Sequence, residues 1–205
     1  MKKITLACVL AGLCLFVNAQ NIPLPGAPKE KLFAVGDTLP NIRFYSISGS
    51  ADSFALSEIS ARLIILDIWG AYCIPCLRNF PKMNNLQGLF KNDLKILLLT
   101  GNPVPPMVQA ADRTLKKFEK ETAMNFQLSA VYTDTLTTNR LIYNTAVPHY
   151  VWLNNKGRII ATTDAATISA DNIRRLLAGE ELLLPVLPAH TGKLMPDAII
   201  TKVAL

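Results

Sequence analysis

The chain has 205 residues, half of them hydrophobic, and a formal net charge of +6. This length is enough for one domain with a sizeable core. The densest basic group, Lys116, Lys117 and Lys120, alternates with Glu119 and Glu121. Such a mixture is typical of a solvated helix face, so the composition predicts no nucleic-acid partner.

The N-terminal residues 1–19 have the pattern of a secretory signal peptide. Lys2 and Lys3 precede an apolar stretch over residues 4–17, and residues 17–19 form a small-x-Ala cleavage site. The apolar stretch is shorter than the ~20 residues that span a bilayer. We predict cleavage before Gln20 and a periplasmic or cell-envelope location, with an uncleaved membrane anchor as the alternative.

Two of the four cysteines, Cys8 and Cys14, lie inside this leader, which leaves the mature chain with Cys73 and Cys76. Lipidation is a further alternative, but Cys8 comes early and Cys14 follows Leu13 rather than a small residue. A secreted chain stabilised by disulfides usually has several spaced cysteine pairs. One closely spaced pair therefore indicates redox chemistry rather than structural cross-linking.

After the leader, residues 20–31 contain three prolines and predict an extended linker. Residues 42–47 alternate apolar and polar side chains, which predicts a half-buried strand, and residues 54–59 predict a helical turn. The continuous apolar run over residues 63–68 predicts a strand buried on both faces and central in a sheet.

A helix is predicted over residues 75–90, with Pro75 in its first turn and a kink at Pro81. Further elements follow in order: strand 94–100, helix 107–122, strand 126–133, helix 136–143, strands 148–153 and 158–162, and helix 170–178 capped by Ser169. This alternation predicts a layered α/β domain with parallel pairing and a closing antiparallel hairpin. The tail from residue 182 is apolar, and its apolar residues show neither helical nor strand periodicity.

The segment Trp69-Gly70-Ala71-Tyr72-Cys73-Ile74-Pro75-Cys76 joins the central strand to the first helix. A sulfur at a helix N-terminus meets unpaired N–H groups and a partial positive charge, which favour the thiolate. Such cysteines have a lowered pKa. The second cysteine is one helical turn away and can resolve a mixed disulfide, so the segment predicts a dithiol–disulfide exchange site.

These features resemble the thioredoxin fold, and more narrowly the TlpA/ResA-like thiol–disulfide oxidoreductases of the bacterial cell envelope. The resemblance covers residues 32–177 and is carried by Val35-Gly36-Asp37 with Pro40, the segment over residues 69–76, and Val147-Pro148 before a hairpin. It implies a central mixed sheet flanked by helices, with a helix–strand unit inserted over residues 107–133.

After the signal peptide over residues 1–19 and the linker over residues 20–31, the resemblance implies a thioredoxin-like domain over residues 32–180, followed by a tail over residues 181–205. The tail has no counterpart in the basic fold. Two alternatives remain open for it: a connector to a region that this chain lacks, or a cover for the sheet edge.

For the site, the resemblance implies that Cys73 is the attacking thiolate and Cys76 the resolving cysteine. Pro75 shapes the turn between them. Trp69 shields the disulfide from solvent, and its alternative role is that of an ordinary core aromatic.

Three more residues complete the implied site. Pro148 matches the family's cis-proline opposite the cysteines, which leaves the backbone of Val147 free to pair with substrate; a trans proline at a strand start is the alternative. Asp67 matches a buried carboxylate that accepts the proton of Cys76. The alternative for Asp67 is a purely structural role at a strand end.

The function implied is that of a reductase of protein disulfides, supplied with electrons by a membrane-bound donor and using no cofactor beyond the Cys73–Cys76 disulfide. A disulfide oxidase or isomerase of the same fold is the first alternative. A copper-binding chaperone using both cysteines and His149 is the second, because copper(I) accepts few, soft ligands.

Overall fold

The computed structural model describes residues 31–49, 52–142, 146–187 and 198–205. The predicted signal peptide and all but the last residue of the predicted linker lie outside these ranges. The described strands are β1 (Arg43–Ser46), β2 (Ser53–Ala55), β3 (Leu63–Trp69), β4 (Leu94–Thr100), β5 (Ser129–Tyr132), β6 (His149–Asn154), β7 (Ile159–Thr163), β8 (Leu182–Val186) and β9 (Ile199–Val203). The described helices are α1 (Ile74–Phe90), α2 (Pro105–Thr122), α3 (Thr135–Ile142) and α4 (Ala170–Leu177).

Seven strands form one mixed sheet in the order β2-β1-β5-β4-β3-β6-β7. The strands β3, β4 and β5 run parallel, whereas β6 is antiparallel to β3 and β7 is antiparallel to β6. Every residue of β3 is buried, because the sheet covers both its edges and both its faces are packed. The predicted central strand is therefore confirmed, and so is the predicted α/β class with a mixed sheet.

The other edge of the sheet is formed by β1 and β2, both antiparallel to their neighbours. The prediction for this region is only partly right. The 3₁₀ turn Leu56–Glu58 matches the expected helical turn, but β2 precedes it and pairs with β1. The predicted helix–strand unit over residues 107–133 is present as α2 and β5, although β5 begins at Ser129 rather than at residue 126.

Two apolar clusters cover the two faces of the sheet. Alternate residues of β3 belong to opposite clusters: Ile65 and Trp69 pack on the face that also holds Cys76 of α1, while Ile64 and Ile68 pack on the other face. Since side chains alternate along a strand, Asp67 points to the same face as Trp69. The helix α1 continues through Pro81 as one helix.

The tail forms a second, two-stranded antiparallel sheet of β8 and β9. Leu182, Leu184 and Val203 belong to the same apolar cluster as Cys76, and the Leu187 N–H donates to the Thr162 carbonyl of β7 at 2.7 Å. The described part of the tail therefore packs on the domain. In the parts of the chain that the structure describes, no helix is long and apolar enough to cross a membrane.

Candidate active site

The two cysteines lie at the junction of β3 and α1. Cys73 is the N-cap residue of α1, its N–H donates to the Gly70 carbonyl at 3.0 Å, and it forms a disulfide with Cys76 in the first turn. Cys73 is half-buried, whereas Cys76 is fully buried. An external sulfur can therefore reach Cys73 but not Cys76.

The start of α1 surrounds the Cys73 sulfur with positive polarity. The Cys76 N–H donates to Cys73 Sγ at 3.2 Å. Pro75 lies in the first turn, where its missing N–H leaves no hydrogen bond unmade. The helix dipole and the unpaired amides of this turn favour negative charge at Cys73 once the disulfide is opened.

Aromatic and aliphatic side chains divide the site into a buried floor and an exposed rim. Trp69 is fully buried and meets Phe80 of α1 edge to face, with ring centroids 5.2 Å apart. Tyr72 and Ile74, on either side of Cys73, are 76% and 55% exposed. Sequence reasoning did not single out this apolar rim, although both residues stand inside the motif.

The segment before β6 comes to the same end of the sheet as the cysteines. The Val147–Pro148 peptide bond is cis, as the resemblance implies. Ile68 pairs with His149 in the β3–β6 ladder, so the next step along the register sets Pro148 opposite Trp69. Val147 is half-buried against the apolar cluster that contains Trp69 and Cys76. Residues 69–76 and 147–148 are therefore neighbours in the fold.

Asp67 is buried on the face of the sheet that α1 covers. Neither of its carboxyl oxygens accepts a hydrogen bond from a residue that the structure describes. Burial raises the pKa of Asp67 to about 8, and the positive charge of Lys82 opposes part of this rise. A carboxyl with this pKa can gain and lose a proton near neutral pH.

Two further polar residues near Asp67 were missed by sequence reasoning. Tyr150 pairs with Asp67 across the β3–β6 ladder and is fully buried. Lys82 of α1 is half-buried, and its Nζ donates to the Ala165 carbonyl at 2.6 Å. Desolvation lowers the pKa of Lys82, whereas the carboxylates of Asp67 and Asp164 act to raise it. Tyr150 had one signal in the sequence, its position two residues after Pro148.

Metal ligation was the basis of the copper-chaperone alternative. His149, the third ligand of that alternative, is buried in β6. Among the described residues, no group of three or more His, Cys, Asp and Glu side chains is arranged to hold a metal ion. The two cysteines are instead bonded to each other.

Curated proteins similar to this chain are named thiol-disulfide oxidoreductase ResA. The chain is 32% identical over 82 residues to ResA of Geobacillus kaustophilus, which covers 39% of this chain and 46% of the relative. It is 30% identical over 64 residues to ResA of Oceanobacillus iheyensis, covering 30% of this chain and 33% of the relative. The chain thus spans half or less of the length of these two relatives. No protein-family model matches it.

Solved structures with the same fold match a larger part of this chain than the curated relatives do. The thioredoxin domain of a thiol-disulfide oxidoreductase from Bacteroides vulgatus superposes with a TM-score of 0.50 at 17% identity, over 71% of this chain and 96% of that chain. The exposed lipoprotein thioredoxin Etrx1 of Streptococcus pneumoniae gives 0.52 at 14% identity, over 68% and 98%. These likenesses show a thioredoxin-like fold. Together with the names of the curated relatives, they confirm the resemblance stated from the motifs.

Proposed function

We propose that the protein is a thiol–disulfide oxidoreductase that exchanges disulfides with cysteine-containing proteins. The observation that carries this proposal is the Cys73–Cys76 disulfide at the N-terminus of α1, with one sulfur half-exposed and the other buried. A bridge that closes so short a loop adds little stability to a fold, which argues against a structural disulfide.

In the reducing direction the chemistry proceeds in two displacements. The Cys73 thiolate attacks a substrate disulfide, forms a Cys73–substrate bond and releases one substrate thiolate. Cys76 then gives up its proton and attacks Cys73, which forms the Cys73–Cys76 disulfide and releases the second substrate thiolate. Two electrons pass from the protein to the substrate, and the exposure difference between the cysteines fixes their order.

The residues around the disulfide have four roles in these displacements. Asp67 accepts the Cys76 proton, because it is buried on the same side of the sheet and its pKa of about 8 suits proton transfer. Val147, next to the cis bond at Pro148, offers backbone groups to an extended substrate segment. Trp69 and Pro75 hold the shape of the motif, and the exposed Tyr72 and Ile74 meet the substrate first.

The proposal also covers the direction of electron transfer and the cellular compartment in which the protein acts. Pro75 before the second cysteine resembles the arrangement in thioredoxins and favours the reducing direction. The leader pattern over residues 1–19 and the single cysteine pair that follows it favour action outside the cytoplasm. A reductase in an oxidising compartment needs a supply of electrons, so a membrane-bound donor is part of the proposal.

Two cysteine variants test the exchange mechanism. Cys73→Ser is expected to abolish reduction of insulin disulfides, because it removes the attacking sulfur. Cys76→Ser is expected to accumulate mixed disulfides with partner proteins, visible as bands that disappear on reduction. Cys73→Ser is the matched control, since it cannot form them at this site. If Cys76→Ser accumulates no more adducts than Cys73→Ser, protein substrates are excluded.

The reduction potential of the Cys73–Cys76 couple tests the direction. A value near or below about −250 mV, measured in a thiol redox buffer by tryptophan fluorescence, supports a reductase of the thioredoxin kind. A value above about −150 mV makes the protein an oxidant and contradicts the proposed direction while leaving exchange itself intact.

A further inference from the structure

A cavity of about 480 Å³ lies at the end of the sheet opposite to the redox site. Its wall includes Leu94, the first residue of β4, which pairs with Leu63, the first residue of β3. The cysteines follow the last residue of β3, and a seven-residue strand has a length on the order of 20 Å. The cavity is therefore separate from the redox site, and the exchange mechanism gives it no role.

The floor of this cavity is apolar. It is formed by Phe54, Ile59, Ala61 and Leu94. Ala61 is buried, and the half-buried Phe54 and Ile59 pack against the apolar cluster to which Ala61 belongs. The Phe54 ring also contacts the Phe44 ring, with centroids 5.6 Å apart. Small-molecule sites are usually concave, mostly apolar and about 300–1,000 Å³ in volume, so the size and the floor of this cavity fit a small apolar molecule.

Lys95 adds a positive charge to the wall of the same cavity. Its side chain is half-buried, and its Nζ donates to Ser129 Oγ at 2.8 Å. An ammonium group has three N–H donors, so two are left for another partner. Within the described ranges, no carboxylate forms an ion pair with Lys95, and none opposes the lowering of its pKa by burial. Because a partly buried charge without a counter-ion is unfavourable, an anion in the cavity would stabilise this side chain.

Two more charged residues line the cavity, and both are exposed. They are Lys91 and Glu58, and neither forms an ion pair with a residue that the structure describes. The backbone of Lys91 is held at the end of α1, since its N–H donates to the Gln87 carbonyl at 2.9 Å. Two lysines and one glutamate give the lining a net charge of +1. The cavity thus combines an apolar floor with an excess of positive charge.

This combination defines the chemistry of the ligand. An uncharged apolar molecule would leave Lys95 without a counter-ion, and a small inorganic anion would leave the apolar floor without a contact. We propose that the cavity binds a small organic anion, namely an apolar molecule that carries one carboxylate. Lys95 binds the carboxylate, Lys91 attracts it from the rim, and Phe54 and Ile59 contact the apolar part. This proposal does not depend on the exchange mechanism.

Octanoate and octanol test the proposal, because they share an apolar chain and differ in charge. Each is titrated into the protein near neutral pH, and the amide chemical shifts are followed by NMR. We expect saturable octanoate binding, with shifts concentrated at residues 59–61 and 94–95. Octanoate should bind about tenfold more tightly than octanol, since a hydrogen bond to a charged group contributes a factor of this size.

Lysine variants assign the carboxylate to its partner. Lys95→Met should weaken octanoate binding by about tenfold and change octanol binding by less than about twofold. Lys91→Met should weaken octanoate binding by only about two- to threefold, because an exposed charge is screened by solvent. Lys82→Met is the matched control. Lys82 is also half-buried and donates to a neutral oxygen, the Ala165 carbonyl, but it does not line the cavity.

Several results would overturn the proposal. They are the absence of saturable octanoate binding, shifts confined to other parts of the chain, equal affinities for octanoate and octanol, and wild-type octanoate affinity in Lys95→Met. An equal loss in Lys82→Met would overturn the role of Lys95. If urea denaturation shows that Lys95→Met does not fold, the octanoate-to-octanol ratio of the wild-type protein and the Lys91→Met variant decide instead. Insulin reduction by the wild-type protein is measured in parallel, and its absence would contradict the exchange mechanism alone.

Discussion

At the scale of single residues, the buried Asp67 carboxyl links the stability of the fold to pH. The folded protein holds its proton up to about pH 8, whereas the ordinary pKa of the side chain is 3.8. Between these values the folded state binds more protons than the unfolded chain. The stability that this carboxyl contributes is fully present below its unfolded pKa and is lost as pH rises through its folded pKa.

Asp67→Asn should remove this pH dependence. In the wild-type oxidised protein, the free energy of unfolding by urea is expected to fall between about pH 4 and about pH 8, by up to about 1.4 kcal/mol per pH unit from this group. The Asn variant should show a flatter profile over the same window. Asp93→Asn, at an exposed position, is the control. Parallel profiles for the wild type and Asp67→Asn would contradict a strongly raised pKa.

Some residues of the site could be predicted from a local motif, whereas others could not. Cys73, Pro75, Cys76 and Trp69 stand in one short motif, so their proximity follows from the chain itself. Pro148 could be found only through the resemblance, because antiparallel pairing of distant strands brings it opposite the motif.

Tyr150 and Lys82 belong to no motif, and the position of Tyr150 two residues after Pro148 is the one signal that the sequence offered for either of them. Tyr150 has the pattern of an apolar strand residue, and Lys82 that of an ordinary helix lysine. Their relation to Asp67 arises only when β6 and α1 pack on β3. Electrostatic contacts between elements have no local sequence pattern, which is why these two residues were missed.

At the scale of elements, Gln87 joins α1 to an incomplete part of the sheet. The strand β5 pairs with β4 only from Leu97 onward. Before that point, Gln87 Oε1 accepts from the Ile96 N–H at 2.7 Å and Gln87 Nε2 donates to the Leu94 carbonyl at 2.8 Å. The Gln87 side chain thus makes the two hydrogen bonds that a neighbouring strand would otherwise make with these backbone groups.

Gln87→Leu should therefore be costly although leucine suits a buried helix position. It leaves the Ile96 N–H and the Leu94 carbonyl unpaired, and we expect a loss of about 2–4 kcal/mol in the free energy of unfolding. Asn85→Leu, at an exposed position on the same helix, should change it by less than about 0.5 kcal/mol. Urea denaturation measures both. A similar small loss in the two variants would show that solvent satisfies these backbone groups.

The elements differ in how well a local pattern predicts them. β3 and β4 were predicted within one residue, because continuous apolar runs bounded by polar residues are typical of central parallel strands. β2 and β8 were not predicted. β2 is three residues long, and β8 contains Pro185, which disfavours a strand in any local analysis although it is tolerated at an outward-facing edge position.

At the scale of the whole molecule, the tail adds a layer to the main apolar cluster. The side chains of β8 alternate, with Leu182, Leu184 and Val186 buried and Leu183 and Pro185 exposed. The buried set belongs to the same cluster as Cys76 and Trp69. The active-site floor and the tail therefore share one core, which the basic thioredoxin-like domain alone does not require.

Adjacent leucines of β8 provide a direct test of this shared core. Leu184 is 4% exposed and Leu183 is 67% exposed. Leu184→Ala is expected to lower the free energy of unfolding by about 2–4 kcal/mol, since it removes buried methyl groups and leaves a cavity. Leu183→Ala should lower it by less than about 0.5 kcal/mol.

Urea unfolding followed by tryptophan fluorescence measures the stability of both leucine variants. The number of steps in the unfolding curve is as informative as its midpoint. Trp69 and Trp152 lie in the cluster that Leu184 joins. If the tail and the domain share a core, Leu184→Ala shifts the tryptophan transition as a whole and keeps it a single step. Equal, small effects of the two substitutions would mean that the tail detaches before the domain unfolds, because a side chain that is already solvated contributes nothing to the cooperative transition.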